Sequence, residues 1–206
     1  MAAPPPSVAV FDIGNVLIRW DPRNLYRKLF DGDAQRMEWF LANVCTDLWN
    51  LEQDRGRSFA DATAECIARF PDWETEIRAY DERWVETLGG AIAENVTLLA
   101  RLDRAGVPLY AITNYSVEKF ALTRTLFPFL EAFRGIVVSG AERIVKPDPR
   151  IYRLLCERHA LDPIACLFID DSPANVAAAR ALGMAAIQYA SGLDLARALQ
   201  RLGLPA

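Results

Sequence analysis

The sequence predicts an α/β fold, with a doubly wound parallel sheet and a helical segment inserted into it. Two observations carry this prediction. Short apolar runs of strand type alternate with amphipathic helical patterns through most of the chain. One long stretch, residues 22–90, interrupts the alternation because its apolar residues recur only at helical spacing.

Five short apolar runs are the predicted strands of the sheet. They are continuous rather than alternating, which indicates strands covered on both faces, as in parallel sheets. The first run ends abruptly at Asp12, and the fifth is the weakest. The predicted strands are residues 8–11, 109–112, 136–138, 166–169 and 185–189.

Helical patterns separate the later strands, and several helix starts are well marked. Three starts pair a favoured N-cap residue with a proline at the first helical position. These pairs are Asp21-Pro22, Asp148-Pro149 and Ser172-Pro173. The helices predicted around the sheet are residues 94–104, 117–126, 150–159, 174–182 and 193–202.

The interrupting stretch predicts a second domain, a helical cap over residues 22–90. The core domain then comprises residues 7–21 and 91–206. The cap shows no convincing strand, and Gly89 and Gly90 at its end predict a hinge. Its tryptophans are expected to lie in a hydrophobic core. They are Trp39, Trp49, Trp73 and Trp84.

The composition excludes several classes of partner. The 206 residues include 23 basic and 27 acidic side chains, whereas nucleic-acid binding requires a basic surface. No apolar stretch approaches the roughly 18 residues of a membrane span, so we expect no membrane partner. The four cysteines are scattered without a CxxC pair, which predicts buried reduced thiols and a cytoplasmic protein.

A single histidine, His159, limits the chemistry further. A histidine-rich metal site cannot be built from it within one chain. Its place at the end of a predicted helix favours an ordinary surface residue.

Polar residues follow four of the predicted strands, directly or in the next loop. Ligands of open α/β sheets bind beyond the carboxyl ends of the strands, so we expect these side chains to converge. Carboxylates suit a hard divalent cation, and an ammonium and a hydroxyl suit phosphate oxygens. The converging residues are Asp12, Thr113, Asn114, Lys146, Asp170 and Asp171.

These residues lie in four motifs that resemble those of the haloacid dehalogenase superfamily, whose members are mostly magnesium-dependent phosphohydrolases. The resemblance covers residues 7–190 and includes a helical cap inserted after the first motif, as in subfamily I. It implies a Rossmann-like core. The motifs are FDIGNVL at residues 11–17, AITN at 111–114, KP at 146–147 and FIDDS at 168–172.

The resemblance implies a nucleophile and a metal site. Asp12 would attack phosphorus and form an aspartyl-phosphate, assisted by a cation and by Lys146. Asp171 would be the more direct metal ligand of its pair, with Asn175 orienting the pair. The implied Mg²⁺ ligands are Asp12, Asp170, Asp171 and the Gly14 carbonyl.

The resemblance also implies a phosphate site. Thr113 and the backbone of Asn114 would hold the phosphoryl group. The implied phosphate-binding residues are Gly14, Asn15, Thr113, Asn114 and Lys146.

One position departs from the usual pattern of the superfamily. The second residue after the nucleophile is usually an aspartate that acts as general acid and base, which contributes roughly 10²–10⁴-fold. Here it is Gly14, as in a similar Asp-x-Gly-Asn-Val branch that includes sugar-1-phosphate phosphatases. Residues 47–56 also resemble the cap loop of that branch.

The missing aspartate raises the question of the proton donor. Asp21, Glu52 and Asp54 are candidates, unless the leaving group needs little help. Arg55 is a solvated charge or a residue that grips the substrate.

The sequence thus predicts a Mg²⁺-dependent phosphatase that acts on a small phosphomonoester, such as a sugar phosphate. A metal-independent 2-haloacid dehalogenase, with Asp12 attacking carbon, is an alternative, but the Asp170–Asp171 pair favours the phosphatase. Gly14 also leaves open a catalytically weak binding or regulatory protein. We expect a monomer or a homodimer.

Overall fold

A computed structural model describes residues 5–190 and 193–205 of the chain. Its strands are β1 (Val8–Phe11), β2 (Ile18–Trp20), β3 (Leu88–Ala91), β4 (Leu109–Thr113), β5 (Gly135–Val138), β6 (Cys166–Asp170) and β7 (Ala185–Gln188). Five form a parallel sheet in the order β5-β4-β1-β6-β7, and β2 and β3 form an antiparallel ribbon. The predicted α/β class is confirmed, and each predicted strand is within one residue of its observed bounds.

The helices fall into two groups along the chain. Those of the inserted segment are α1 (Arg23–Leu29), α2 (Ala34–Asn43), α3 (Asp47–Asp54), α4 (Phe59–Arg69) and α5 (Glu74–Glu82). Those of the α/β part are α6 (Ala93–Arg104), α7 (Val117–Leu126), α8 (Ser139–Glu142), α9 (Pro149–His159), α10 (Pro173–Ala181) and α11 (Leu195–Arg201). Throughout the described residues, the helices are too short or too polar to cross a membrane.

Strand β1 lies at the centre of the sheet because all four of its residues are apolar and buried. Val10 pairs with Tyr110 of β4 on one side and with Phe168 of β6 on the other. This parallel register brings the carboxyl ends of the three strands to one edge. Asp12 therefore lies beside the ends of β4 and β6.

Two of the three predicted helix starts are confirmed. Asp148 caps α9 by accepting a hydrogen bond from the Arg150 backbone, and Ser172 caps α10 in the same way. The third is wrong by one residue, since α1 begins at Arg23. Asp21 still accepts a hydrogen bond from the Arg23 backbone at 2.9 Å, but the chain turns there before the helix begins.

The ribbon of β2 and β3 contradicts the prediction that residues 22–90 contain no strand, since β3 begins at Leu88. Gly89 and Gly90 lie in β3, where Leu88 pairs with Trp20. A Cβ on Gly89 would lie 2.9 Å from the Cβ of Arg19, so the two chains approach as closely as they do because residue 89 is glycine. Glycine disfavours strands in general, which is why the sequence pattern concealed this one.

Aromatic side chains pack the interior of residues 22–90, which we call the cap. The ring of Tyr26, fully buried, lies 4.9 Å from that of Phe40 and 6.1 Å from that of Tyr80. Trp84 is buried as predicted, but Trp39 is 48% exposed. Met37 and Phe40 define the buried face of α2, and Trp39 projects from another side of the helix.

The four cysteines are buried and free, as predicted. They are less scattered in space than in sequence, because Cys45 contacts Cys66 and Cys156 contacts Cys166 through their thiols. Burial, followed by the neighbouring Cys66 thiol, raises the pKa of Cys45 far above its ordinary value. The Cys45 thiol is therefore protonated at neutral pH.

Candidate active site

The nucleophile predicted from the sequence lies directly after the central strand. Asp12 is buried, and its backbone amide donates to the Ile169 carbonyl at 2.8 Å. Its Oδ1 accepts a hydrogen bond from the Ile13 backbone at 2.7 Å. One carboxylate oxygen is thus fixed by the turn that follows β1.

Lys146 lies between two buried aspartates. Its Nζ is 2.8 Å from Oδ1 of Asp12 and 2.7 Å from Oδ2 of Asp170. The Asn114 side chain clamps the lysine backbone, since Nδ2 donates to the Lys146 carbonyl at 3.1 Å and Oδ1 accepts from the Lys146 amide at 2.8 Å. The loop after β5 is thereby tied to the end of β4.

Burial controls the protonation of this cluster. It raises the pKa of Asp12 to about 7, although Lys146 lowers that pKa in part and Asp170 raises it again. Burial alone would lower the pKa of Lys146, but the attraction of Asp12 and Asp170 raises it. One ammonium thus faces several carboxylates, and the surplus of negative charge suits a further cation.

Asp170 is fully buried, and both of its oxygens are engaged. Oδ1 accepts from the Ser172 amide at 2.8 Å and from Asn175 Nδ2 at 3.0 Å. Oδ2 accepts from Asn175 Nδ2 at 3.1 Å and from Lys146. The structure thus places Asn175 against the first residue of the acidic pair.

Three carboxylates meet at this edge in an arrangement that fits a metal ion. One oxygen from each of Asp12, Asp170 and Asp171 lies within 4.8 Å of the others. Such an all-oxygen donor set is the one that Mg²⁺ and other hard cations take. Asp171 is only partly buried, and burial followed by repulsion from Asp170 raises its pKa.

Thr113 presents a buried hydroxyl at the end of β4. Its Oγ1 has no hydrogen-bond partner among the described residues. Buried polar atoms are nearly always paired, so this hydroxyl is available to a bound group.

The side chain of Asn15, predicted to bind phosphate, does not contact the cluster of Asp12, Lys146 and Asp170. Its backbone is left-handed, with φ of 53°, a conformation that asparagine tolerates better than most residues. Its side-chain oxygen accepts a hydrogen bond from the Trp20 amide at 2.9 Å. The side chain therefore shapes the turn between β1 and β2.

A cavity of about 90 Å³ lies between the strand ends and the cap. Gly14 lines it, and a Cβ added to that glycine would meet nothing within 4 Å. Most of the residues that line this cavity were not predicted from the sequence. Lys119 could have been, since it lies one turn into the helix that follows the second motif. The lining residues are Gly14, Trp20, Asn50, Asp54, Phe59, Trp84, Asn114, Tyr115, Ser116 and Lys119.

The candidate proton donors occupy three different environments. Asp54 lines the cavity. Asp21 lies in a separate open depression next to Arg23, and its side chain accepts a hydrogen bond from the Arg23 backbone amide. Glu52 pairs with Arg55 at 2.6 Å, and both side chains are about half exposed.

His159 lies at the other end of the strands from Asp12, Lys146 and Asp170. Its ring packs 4.8 Å from that of Tyr110, near the amino end of β4, and against Gly135, the first residue of β5. Burial, followed by Arg158, lowers its pKa. The histidine is therefore at the opposite edge of the sheet from Asp12.

Comparison with known proteins identifies the class of protein that this fold and site define. A model of the haloacid dehalogenase-like hydrolase family matches residues 6–183. The chain belongs to this family and is a hydrolase.

Particular relatives are phosphatases. The sesquiterpene phosphatase astK of Aspergillus oryzae is 30% identical over 199 residues, which cover 94% of this chain and 95% of that protein. Hexitol phosphatase A of Escherichia coli is 32% identical over 142 residues, which cover 69% and 61% of the two chains.

A solved structure supports the fold. A family enzyme from Bacteroides thetaiotaomicron superposes with a TM-score of 0.77 at 21% identity, covering 94% of this chain and 98% of that one.

Proposed function

We propose that this protein is a Mg²⁺-dependent phosphatase that hydrolyses a small phosphomonoester through an aspartyl-phosphate on Asp12. The observation that carries the proposal is the buried arrangement of Asp12, Lys146 and Asp170 at the edge where three strands end. Phosphatase relatives support the reaction class.

The acidic residues fit the cation. Asp12, Asp171 and the Gly14 carbonyl would hold it directly, because both oxygens of Asp170 are already occupied. When bound, the ion neutralises phosphoryl oxygens and so permits attack by a carboxylate.

The other groups would orient the phosphoryl. Thr113 Oγ1 and the Asn114 backbone would donate to its oxygens, and Lys146 would balance its charge. Asn114 contributes in a second way, because its side chain fixes the Lys146 backbone.

The cavity limits the leaving group. A volume of about 90 Å³ admits a small alcohol, and Trp20, Phe59 and Trp84 offer it an apolar wall. Sugar phosphates and short phosphorylated alcohols are the proposed substrate class. Four buried thiols are consistent with a cytoplasmic enzyme.

The dehalogenase alternative rests on Gly14. A solved L-2-haloacid dehalogenase from Xanthobacter autotrophicus shares the fold with a TM-score of 0.62 at 17% identity, covering 96% of this chain and 83% of that one. The cluster of three carboxylates favours the phosphatase, since a halide leaves without help from a metal.

One set of assays distinguishes these functions. The protein is incubated with para-nitrophenyl phosphate, with and without Mg²⁺, and with 2-chloropropionate. We expect Mg²⁺-dependent phosphate release, abolished in Asp12→Asn. Halide release would support the dehalogenase. Release of neither phosphate nor halide would favour a binding protein.

A further inference from the structure

The first motif supplies no proton carrier at position 14. Gly14 stands where the superfamily usually has an aspartate, and the space beside it belongs to the cavity. An alkoxide leaving group needs a proton when its bond to phosphorus breaks. A replacement must therefore reach the cavity from another element.

Asp54 reaches the cavity from the end of α3. Asp54 is the only carboxylate among the described residues that line the cavity. Asn50, one turn earlier, donates to its Oδ2 at 3.4 Å and accepts from the Tyr80 hydroxyl at 3.2 Å. The carboxyl group is thus oriented by a chain of polar contacts that begins in the cap interior.

A close contact between glycines holds this end of α3 against the core. A Cβ on Gly56 would lie 2.7 Å from the Gly140 carbonyl oxygen, and one on Gly140 would lie 2.8 Å from the Tyr115 carbonyl oxygen. The Ser139 hydroxyl donates to the Asp54 carbonyl at 2.6 Å and accepts from the Tyr115 amide at 2.9 Å. The backbone of Asp54 is therefore fixed to the residue after β5 and, through it, to the loop after β4.

The protonation of Asp54 suits proton transfer near neutral pH. Burial raises its pKa to about 7, although Lys146 and the Ser116 backbone amide lower that pKa in part. A carboxyl group with such a pKa can give up a proton and take one back in each turnover. The titratable groups that act on it are Tyr80 of α5, Tyr115 and Lys146, and Lys146 is itself paired with Asp12. Lys119 lines the same cavity and pairs with Asp81 of α5, and the Arg143 side chain lies next to Gly56.

We propose that Asp54 is the general acid and base of this enzyme, supplied by the cap in place of the aspartate missing at position 14. The inference rests on the proposed phosphatase function. As Asp12 forms its bond to phosphorus, the bond to the leaving oxygen breaks and Asp54 donates its proton to that oxygen. Water then attacks phosphorus, the bond to Asp12 breaks, and the Asp54 carboxylate accepts a proton from the water.

The test compares two phosphates of similar shape whose leaving groups differ in basicity. Benzyl phosphate releases an alkoxide that must be protonated, whereas para-nitrophenyl phosphate releases a stable phenolate. We expect Asp54→Asn to lower kcat/KM for benzyl phosphate by about 10²–10⁴-fold, and for para-nitrophenyl phosphate by less than about tenfold. Retained activity on the second substrate also shows that the variant is folded.

Three further variants complete the comparison. Asp72→Asn removes an exposed cap carboxylate and should change neither value. Asp21→Asn and Glu52→Gln test the other candidates. Equal loss on both substrates in Asp54→Asn, or a benzyl-specific loss in either rival variant, would overturn the proposal.

A pH profile of the unmodified enzyme gives a second measurement. The ratio of kcat/KM for benzyl to para-nitrophenyl phosphate should fall above about pH 7, as Asp54 loses its proton. Groups that both substrates need, such as Asp12, cancel in this ratio. A ratio that stays constant with pH would contradict the role of Asp54. Failure of the unmodified enzyme on both phosphates would instead refute the phosphatase itself.

Discussion

The core and the cap contribute to the site by different physical means. In the core, Lys146, Asp12 and Asp170 form a buried ionic cluster whose members compensate one another. In the cap, aromatic rings fill the interior, and Asp54 forms no salt bridge with any of the described residues. In the proposed function, the core would provide the charges for binding and attack, whereas the cap would provide the shape of the cavity and the proton for the leaving group. The following experiments test this division, from the largest expected effect to the smallest.

Removing the central cation should damage the core most. In Lys146→Met, Asp12 and Asp170 remain buried without their shared ammonium. We expect the free energy of unfolding to fall by about 3 kcal/mol and activity to be lost. Urea unfolding measures the first effect, and Mg²⁺ should recover part of it.

Lys28→Met is the matched control for that experiment. Lys28 pairs with Glu86 at 2.7 Å on the exposed surface, so its removal should cost less than about 1 kcal/mol. If both variants lost a similar free energy of unfolding, the buried cluster would contribute no more to stability than an exposed ion pair.

The contact between cap and core can be broken at one glycine. Gly56→Ala adds a methyl group 2.7 Å from the Gly140 carbonyl oxygen and strains a residue with φ of +98°. We expect a loss of about 2–3 kcal/mol and a selective fall in benzyl phosphate turnover, because Asp54 is displaced.

Gly32→Ala is the control that separates the backbone strain of a positive φ from the steric contact with a neighbouring chain. Gly32 has φ of +83°, but an added Cβ would meet nothing within 4 Å. It should cost about 1 kcal/mol by urea unfolding and leave the selectivity between the two phosphates unchanged. If it matched Gly56→Ala in both measurements, the glycine contact would be unimportant.

The partly buried carboxyl group of Asp54 should make stability depend on pH. Because the folded pKa of Asp54 is about 7 rather than 3.8, the folded state holds this proton more tightly than the unfolded state. Its effect therefore reduces stability as pH rises from about 4 to 7. Relative to the natural chain, Asp54→Asn should gain more stability at pH 8 than at pH 4, by at least about 1 kcal/mol.

Urea unfolding at several pH values measures this difference. Asp72→Asn, exposed on the same cap, should show none. A difference between Asp54→Asn and the natural chain that stays constant with pH would show that Asp54 titrates normally.

The smallest effect is expected at the exposed pair of α3. Arg55→Ala removes an exposed ion pair with Glu52, so the free energy of unfolding should change by less than about 0.5 kcal/mol. A KM raised more than about threefold in steady-state assays would instead assign Arg55 to the substrate.

The same division explains what the sequence could predict. Asp12 and Asp170 come directly after continuous apolar runs, and parallel strands bring such residues to one edge whatever the loops do. The β2–β3 ribbon was missed because two of the four residues of β3 are glycines, which carry no strand pattern.

The cap contribution depends on contacts between distant parts of the chain. Asp21, Glu52 and Asp54 could not be separated as proton donors, since spacing alone does not show which way each faces. Asp54 reaches the cavity because Gly56 packs on Gly140, which lies 84 residues further along the chain. The Asn114 clamp on Lys146 likewise joins two loops that no local pattern connects.

The β2–β3 ribbon also bears on how such a protein could acquire or lose its cap. The Asp21 amide donates to the Thr87 carbonyl at 3.0 Å, so the chain leaves the core and returns to it at nearly the same point. The two strands could therefore be joined by a hairpin turn of a few residues, and the sheet would keep its order. A cap of a different shape, inserted between these two strands, would leave the contacts of Lys146 with Asp12 and Asp170 unchanged.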